Sequence, residues 1–198
     1  MHLQKFCLGL CFFLLGCGFE VSNSNAPSVA FEKGDMAPAF VGLEWLELPQ
    51  LLFLKEGGRV TREETRELIS SGASLESLRG SVVVLNFWSY ECGFCREVVN
   101  WLQEWQVAYP ELRIIGIHTP EYSYERKKEN VTDWVKKLNI TYSVAMDNKK
   151  KTWKAYQNKY RPALYLIDRE GRLQYLTYGT SKKQETREMI ENLLREGE

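Results

Sequence analysis

The sequence predicts an α/β fold in which a mixed β-sheet carries helices on both of its faces. Residues 82–88 (VVVLNFW) form a nearly continuous apolar run, which is typical of a central strand buried on both sides. Apolar residues at helical spacing follow this run, and further strands and helices then alternate along the chain. A hairpin and a last helix complete the pattern, which therefore indicates helices packed on both sides of one sheet.

The first predicted helix, residues 92–109, follows the central strand directly. Its apolar residues recur every three or four positions and so share one face: Cys95, Val98, Val99, Leu102 and Trp105. Pro110 ends this helix, because the residue before a proline avoids the α region.

Shorter elements follow. The sequence predicts a strand over 112–117, a helix over 130–138 with Asn130 as its N-cap, a strand over 142–145 and a short helix over 149–156. No internal repeat is visible, so these elements are assigned to one domain.

The end of the chain predicts a hairpin and a terminal helix. Residues 163–168 (ALYLID) and 173–178 flank a tight turn at residues 169–171. Residues 181–184 (SKKQ) resemble a capping box, which would start a helix that reaches Leu194.

The region before the central strand is less regular. Residues 61–71 (TREETRELISS) open with a T-x-x-E box and are predicted to be helical, although their apolar stripe is thin. We interpret residues 47–73 as a surface insertion in a domain that covers residues 34–198.

The first residues of the chain are predicted to be a secretory signal. Lys5 precedes an apolar run over residues 6–15, which is shorter than the ~20 residues that a membrane-spanning helix needs. The run ends in L-L-G-C, which resembles a bacterial lipobox, where the signal is cut before a cysteine that takes a lipid anchor. We therefore expect a lipoprotein signal over 1–16, a lipid on Cys17 and a solvated tether over 17–33. An ordinary signal peptide or an uncleaved anchor is the alternative.

Composition limits the classes of function. The 198 residues suggest about one domain with extensions, and the 44% of apolar residues can fill a core. Lysine plus arginine equals aspartate plus glutamate, 26 each, which argues against a nucleic-acid partner.

The cysteine count favours redox chemistry. Without the signal and the lipidated cysteine, only Cys92 and Cys95 remain, beside a single histidine, His118. Structural zinc needs four ligands, so a zinc site is not expected. A structural disulfide is possible outside the cytoplasm, but one that closes so short a loop gains little chain entropy.

The position of the pair gives its two sulfurs different roles. Cys92 is predicted to start a helix, where the peptide dipoles favour a thiolate, which makes this cysteine more acidic than a free one. A thiolate can attack a disulfide in another protein and form a mixed disulfide. Cys95, one helical turn later on the apolar face, would then release the product. No cofactor other than the Cys92–Cys95 disulfide is implied.

The run 83–95 (VVLNFWSYECGFC) resembles the active-site region of the thioredoxin superfamily, most closely its membrane-tethered TlpA/ResA-like branch. Residues 34–40 (GDMAPAF) and 75–80 (LESLRG) resemble further segments of that branch. Residues 115–121 (IGIHTPE) and 160–168 (YRPALYLID) are similar to the redox domain of DipZ-type proteins. The resemblance implies a thioredoxin-like three-layer sandwich and a protein thiol-disulfide oxidoreductase that acts outside the cytoplasm at a bacterial membrane. It also implies a reductive direction, with protein thiols or disulfides and a membrane electron donor or acceptor as partners.

Pro162 matches the cis-proline of this family, which lies beside the cysteine pair. A cis bond would expose the backbone of Arg161 to an extended substrate segment, in a form of strand addition. The alternative is a trans proline that starts an edge strand.

Three side chains are candidates for moving protons. Asn86 stands where cytoplasmic thioredoxins have a buried aspartate, so Glu91 and Glu121 are candidate replacements, although acids at such positions are more often solvated surface acids. His118 either tunes the cysteines or is a hydrogen-bonded residue at the end of a strand.

Aromatic residues near the pair are expected to serve recognition. Trp88 and Tyr90 are predicted to pack around the cysteines and to form an apolar patch on which a partner docks. Gly93 and Phe94, between the cysteines, are expected to tune the redox potential.

Two other functions compete with the oxidoreductase. A copper-binding metallochaperone or other non-enzymatic binding module would use Cys92, Cys95 and His118, since soft thiolates suit Cu(I), but copper proteins of this fold have a longer gap between their cysteines. A thiol peroxidase would need a threonine or arginine motif near a lone thiol, and the sequence shows no such motif.

Overall fold

The computed structural model describes residues 31–46 and 74–196. The predicted signal, the lipid site at Cys17, the insertion over 47–73 and the helix over 61–71 lie outside the described residues. Within the described residues, no helix combines the length and the apolar character needed to span a bilayer.

Six strands form one mixed sheet in the order β1-β4-β3-β2-β5-β6. The strands are β1 (Glu44–Trp45), β2 (Val83–Trp88), β3 (Arg113–His118), β4 (Ser143–Met146), β5 (Ala163–Ile167) and β6 (Leu173–Tyr178). The central strand β2 pairs in parallel with β3 and antiparallel with β5. The predicted mixed sheet is therefore confirmed, with every predicted strand in place.

Within residues 31–46 and 74–196, four α-helices and two short 3-10 helices accompany the sheet. The helices are α1 (Gly93–Ala108), α2 (Lys128–Lys137), α3 (Lys151–Ala155) and α4 (Lys183–Arg195), and the 3-10 helices are Glu76–Leu78 and Ser123–Arg126.

The core has two halves, one on each face of the sheet. Every residue of β2 is buried, and its side chains alternate between the two halves because successive residues of a strand point to opposite faces. Val84 and Trp88 pack with the apolar faces of α1, α2 and α4, whereas Leu85 and Phe87 pack with α3 and the first 3-10 helix. Helices on both faces are thus confirmed.

Residues 31–46, which we call the N-terminal strap, cross one face of the sheet. The Phe31 ring lies 6.2 Å from that of Tyr156, and the Gly34 N–H donates to the Leu173 carbonyl at 2.7 Å. The strap ends in β1, where Trp45 pairs with Ala145 of β4. Residues 31–33 were assigned to the tether from the sequence. In the structure, Phe31 packs against the domain through the ring of Tyr156.

Two predicted helix starts are wrong. Helix α2 begins at Lys128, so Asn130 is not its N-cap, and the Asn130 side-chain amide donates instead to the Tyr124 carbonyl. The N-cap of α4 is Lys182, which makes no side-chain capping bond. The capping box over residues 181–184 does not form, because its serine lies one position too early to accept from the first turn.

Candidate active site

The cysteine pair lies where β2 gives way to α1. Cys92 is the N-cap of α1, Cys95 lies in its first turn, and the two form a disulfide with Cα atoms 5.2 Å apart. Cys92 is half-buried, whereas Cys95 is completely buried. The Cys95 N–H donates to the Cys92 sulfur at 3.2 Å. A partner therefore has access to the Cys92 sulfur, whereas the Cys95 sulfur lies buried behind it.

The loop before β5 lies against this pair. The Arg161–Pro162 peptide bond is cis, and the Cys92 sulfur is 4.0 Å from the Arg161 carbonyl oxygen. The predicted cis-proline is confirmed, and the edge-strand alternative is wrong because β5 lies between β2 and β6.

The Arg161 side chain ties this loop to the end of β3. Its guanidinium donates to the Thr119 carbonyl at 2.7 Å, lies 3.9 Å from the Glu121 carboxylate and packs over the Trp153 ring. The Glu121 side chain is half exposed, so it lies at the surface as the partner of a cation.

Trp88 and Tyr90 do not form an exposed patch, contrary to the prediction. Both are buried in the same core half as the cysteines. The His118 ring stacks on Tyr90 and meets Trp88 edge-on, each with ring centroids 5.4 Å apart. A partner cannot dock on these two aromatic side chains, since no surface of them is presented to solvent.

Other aromatic side chains are exposed around Cys92. Phe94, next to the pair in sequence, is 66% exposed, and Tyr160 before the cis-proline is 58% exposed. Tyr122 and Tyr124 are exposed and stacked on one another after β3. Loss of hydration and the nearby carboxylate of Glu91 raise the pKa of Tyr124.

A further acid of the site, Glu125, was not predicted from the sequence. Its side chain is fully buried and accepts a short hydrogen bond from the Ser89 hydroxyl. It also accepts the backbone N–H groups of Glu121 at 2.6 Å and Tyr122 at 2.8 Å. The His118 Nε2 atom lies 3.6 Å from this carboxylate. Glu125 therefore joins the loop before Cys92 to the loop after β3.

Hydrogen bonds keep Glu125 ionised. Burial alone would raise the pKa of its carboxyl, but the nearby His118 imidazole and the hydrogen bonds from Ser89, Tyr122 and Glu121 together lower this pKa to about 2. Burial lowers the pKa of His118, and Glu125 does not offset that effect. Near neutral pH the site therefore holds a buried carboxylate beside a neutral imidazole.

The remaining residues singled out from the sequence differ in exposure. Glu91 and Gly93 are exposed, and the Glu91 N–H donates to the Ser89 hydroxyl at 3.2 Å. Asn86 is buried in β2, as its sequence position implied.

A histidine enclosed by rings suits the copper hypothesis poorly. His118 is 0% exposed and lies between Trp88, Tyr90 and Glu125, so no face of its ring is open to an incoming ion. Among the described residues, no three histidine, cysteine, aspartate or glutamate side chains gather as a metal site.

Known proteins share both the sequence and the fold of this chain. A family model described as the AhpC/TSA family matches residues 64–176. Protein DipZ of Mycobacterium tuberculosis is 38% identical over 178 residues, which cover 88% of this chain and 23% of DipZ. Thiol-disulfide oxidoreductase YkuV of Bacillus subtilis is 25% identical over 142 residues, 71% of this chain and 88% of YkuV. The chain thus spans less than a quarter of DipZ and most of YkuV.

A solved structure shows the same fold. The thiol:disulfide interchange protein DsbE from Chlorobium tepidum superposes with a TM-score of 0.62 at 24% identity, covering 82% of this chain and 98% of DsbE. A thioredoxin-like protein solved in its oxidised form gives a TM-score of 0.63 at 22% identity, covering 83% of this chain and 98% of that protein. These likenesses establish a thioredoxin-like three-layer fold.

Proposed function

The chain belongs to the AhpC/TSA family and has a thioredoxin-like fold, and from this premise we propose that it is a protein thiol-disulfide oxidoreductase. One observation carries the proposal. An accessible sulfur, Cys92, starts a helix, is bonded to the buried Cys95, and faces the backbone carbonyl of Arg161. That arrangement supplies a nucleophile, a resolving thiol and a backbone acceptor in one place.

In the reductive direction, the reduced pair gives two electrons to a partner. The Cys92 thiolate attacks one sulfur of the partner's disulfide, whose S–S bond breaks and whose other sulfur leaves as a thiolate that takes up a proton. Cys95 then loses its proton and attacks the Cys92 sulfur, which breaks the mixed disulfide and forms the Cys92–Cys95 disulfide. The second partner sulfur leaves as a thiolate and is protonated. A dithiol donor protein must afterwards reduce the pair again.

The substrate class follows from the surroundings of Cys92. The Arg161 carbonyl can accept a backbone N–H of an extended segment beside the attacking sulfur. The exposed rings of Phe94, Tyr122, Tyr124 and Tyr160 can make apolar contacts with substrate side chains that flank the disulfide under attack. A disulfide in an extended polypeptide fits this surface better than a small disulfide does.

The lipobox supports a location outside the cytoplasm, with Cys17 lipidated and the domain held at a bacterial membrane near a membrane electron donor. Replacing Cys17 with alanine should abolish incorporation of radiolabelled fatty acid and release the protein from membranes. Retention of the label in Cys17→Ala would contradict the lipid anchor.

Two cysteine variants test the mechanism. Cys92→Ser should abolish reduction of a disulfide-linked peptide, because no nucleophile remains. Cys95→Ser should accumulate a mixed disulfide through Cys92, seen as a heavier band on a non-reducing gel that disappears on reduction. The double variant is the matched control and should trap nothing. Activity in Cys92→Ser at the wild-type rate would refute the proposed reaction.

A further inference from the structure

The proposed reaction leaves one buried charge unused, the carboxylate of Glu125. It accepts three hydrogen bonds, from the Ser89 hydroxyl and the two backbone N–H groups after β3, and the His118 Nε2 atom lies 3.6 Å away. A buried carboxylate with that many donors stays ionised, so its charge is a permanent feature of the site.

This charge lies one side chain away from the turn that carries Cys92. The Ser89 hydroxyl donates to Glu125 and accepts the Glu91 N–H at 3.2 Å. The Ser89 carbonyl accepts the Cys92 N–H at 3.3 Å. The path from carboxylate to nucleophile therefore runs through Ser89 and the backbone on either side of it.

Few other charges oppose the carboxylate. His118 from β3 is neutral, because burial lowers its pKa. Burial raises the pKa of Tyr90, so its phenol is neutral too. Glu91 adds a second, exposed negative charge. Two cations face this region: the Arg161 guanidinium is already shared with Thr119 and Glu121, and the Arg96 guanidinium donates to the Tyr90 carbonyl at 2.9 Å.

We propose that Glu125 is a positioning residue whose buried carboxylate opposes formation of the Cys92 thiolate and so makes the pair a better electron donor. A negative charge in a low-dielectric site disfavours a second negative charge nearby, against the pull of the helix N-terminus. A less stabilised thiolate means a less stabilised reduced form, and hence a lower reduction potential. The inference rests on the proposed function, and it supplies a structural reason for the reductive direction.

Glu125→Gln tests the charge at nearly constant size. The fraction of Cys92 thiolate at a given pH, followed by ultraviolet absorbance of the reduced protein, should rise about tenfold. At a pH roughly one unit above the ~8.5 of a free thiol, where Cys92 is ionised in both proteins, the equilibrium with glutathione should move about tenfold toward the reduced pair, a potential about 30 mV higher. Glu129→Gln, which removes an exposed charge from α2, is the matched control and should change neither quantity.

Ser89→Ala separates charge from loop geometry. It removes both hydrogen bonds of the Ser89 hydroxyl, to Glu125 and from the Glu91 N–H, but leaves the carboxylate, so the thiolate fraction and the potential should stay close to the wild-type values. Equal shifts in Ser89→Ala and Glu125→Gln would overturn the proposal in favour of loop geometry. Unchanged values in a folded Glu125→Gln would overturn it outright.

The wild-type protein gives a test that does not depend on any variant folding. With Glu125 ionised, the Cys92 thiol should have a pKa near the ~8.5 of a free cysteine, despite its place at a helix start. A wild-type pKa below roughly 7 would overturn the proposal. This outcome is distinct from failure of the proposed function, which would appear as wild-type activity in Cys92→Ser.

Discussion

Glu125 and His118 make stability depend on pH. Their folded pKa values lie below the ordinary values, 4.5 for the carboxyl and 6.5 for the imidazole. For both groups the unfolded chain binds protons more readily, so their contribution is fully present above the unfolded pKa and is lost as pH falls. Loss begins as pH drops below 6.5 because of His118, and Glu125 adds to it between pH 4.5 and about 2.

We expect the free energy of unfolding to decrease as the solution is acidified. The Glu125 part amounts to about 3 kcal/mol, since each pKa unit corresponds to about 1.4 kcal/mol. Urea unfolding at a series of pH values should show this slope in the wild type and in the control Glu129→Gln. Glu125→Gln should be less stable at pH 7 and should show a shallower slope below pH 4.5 than the wild type. An identical slope in that variant would contradict the assignment.

At this scale the sequence predicted the nucleophile but not the buried acid. Cys92 is marked by its spacing to Cys95 and by the strand before it, both local features. Glu91, Glu121 and Glu125 are alike in sequence, and only the fold of the loop after β3 decides which carboxylate is covered. One local signal was available, since Glu125 lies three residues after Tyr122 and caps its N–H, but tyrosine is not a typical N-cap residue.

At the scale of single elements, β3 depends on one glycine. A Cβ atom at Gly116 would lie 3.0 Å from the Trp88 Nε1 atom and 3.1 Å from the Tyr142 ring. In an open strand, alanine would be preferred to glycine, because it loses less backbone entropy on folding. Whether alanine at position 116 stabilises or destabilises the protein therefore depends on the two rings, which are both buried and cannot move far.

Gly116→Ala should destabilise the protein by roughly 1–3 kcal/mol, the usual cost of overpacking a core. The measurement is the urea midpoint, with near-ultraviolet circular dichroism as a readout of aromatic packing. An unchanged or higher midpoint would show that the rings yield without cost.

Elements with a clear period were predictable, and those without one were not. The apolar face of α1, from Cys95 to Trp105, is buried as the spacing indicated. Strand β1 has only two residues, too few to show alternation, and its place depends on pairing with β4 far along the chain. The prediction of where α4 starts was wrong for another reason. Its sequence has a capping pattern that begins at residue 181, but the N-cap is Lys182, one residue later.

At the scale of the whole molecule, the N-terminal strap connects distant parts of the sheet. It bonds to Leu173 of β6, exchanges hydrogen bonds with Thr152 of α3 through Val41, and ends beside Ala145 of β4. It therefore covers the half of the core that lies opposite α1.

Trp45→Ala should weaken the whole fold, since this side chain is buried at the end of the strap and meets the Phe40 ring edge-on. We expect a loss of about 3 kcal/mol, typical of truncating a buried tryptophan. Val107→Ala, at a largely exposed position, is the control and should shift stability by less than about 0.5 kcal/mol. Equal effects of the two changes in urea unfolding would show that the strap contributes nothing.

The N-terminal strap begins at the end of the sheet that lies away from Cys92. Gly34 bonds to Leu173, which pairs with Ile167, which pairs in turn with Val83 at the start of β2. Cys92 comes after the far end of that strand, about 20 Å away at ~3.3 Å per residue. The start of the strap and the sulfur pair thus lie near opposite ends of β2, so a partner polypeptide that reaches Cys92 approaches the domain from the end away from Gly34.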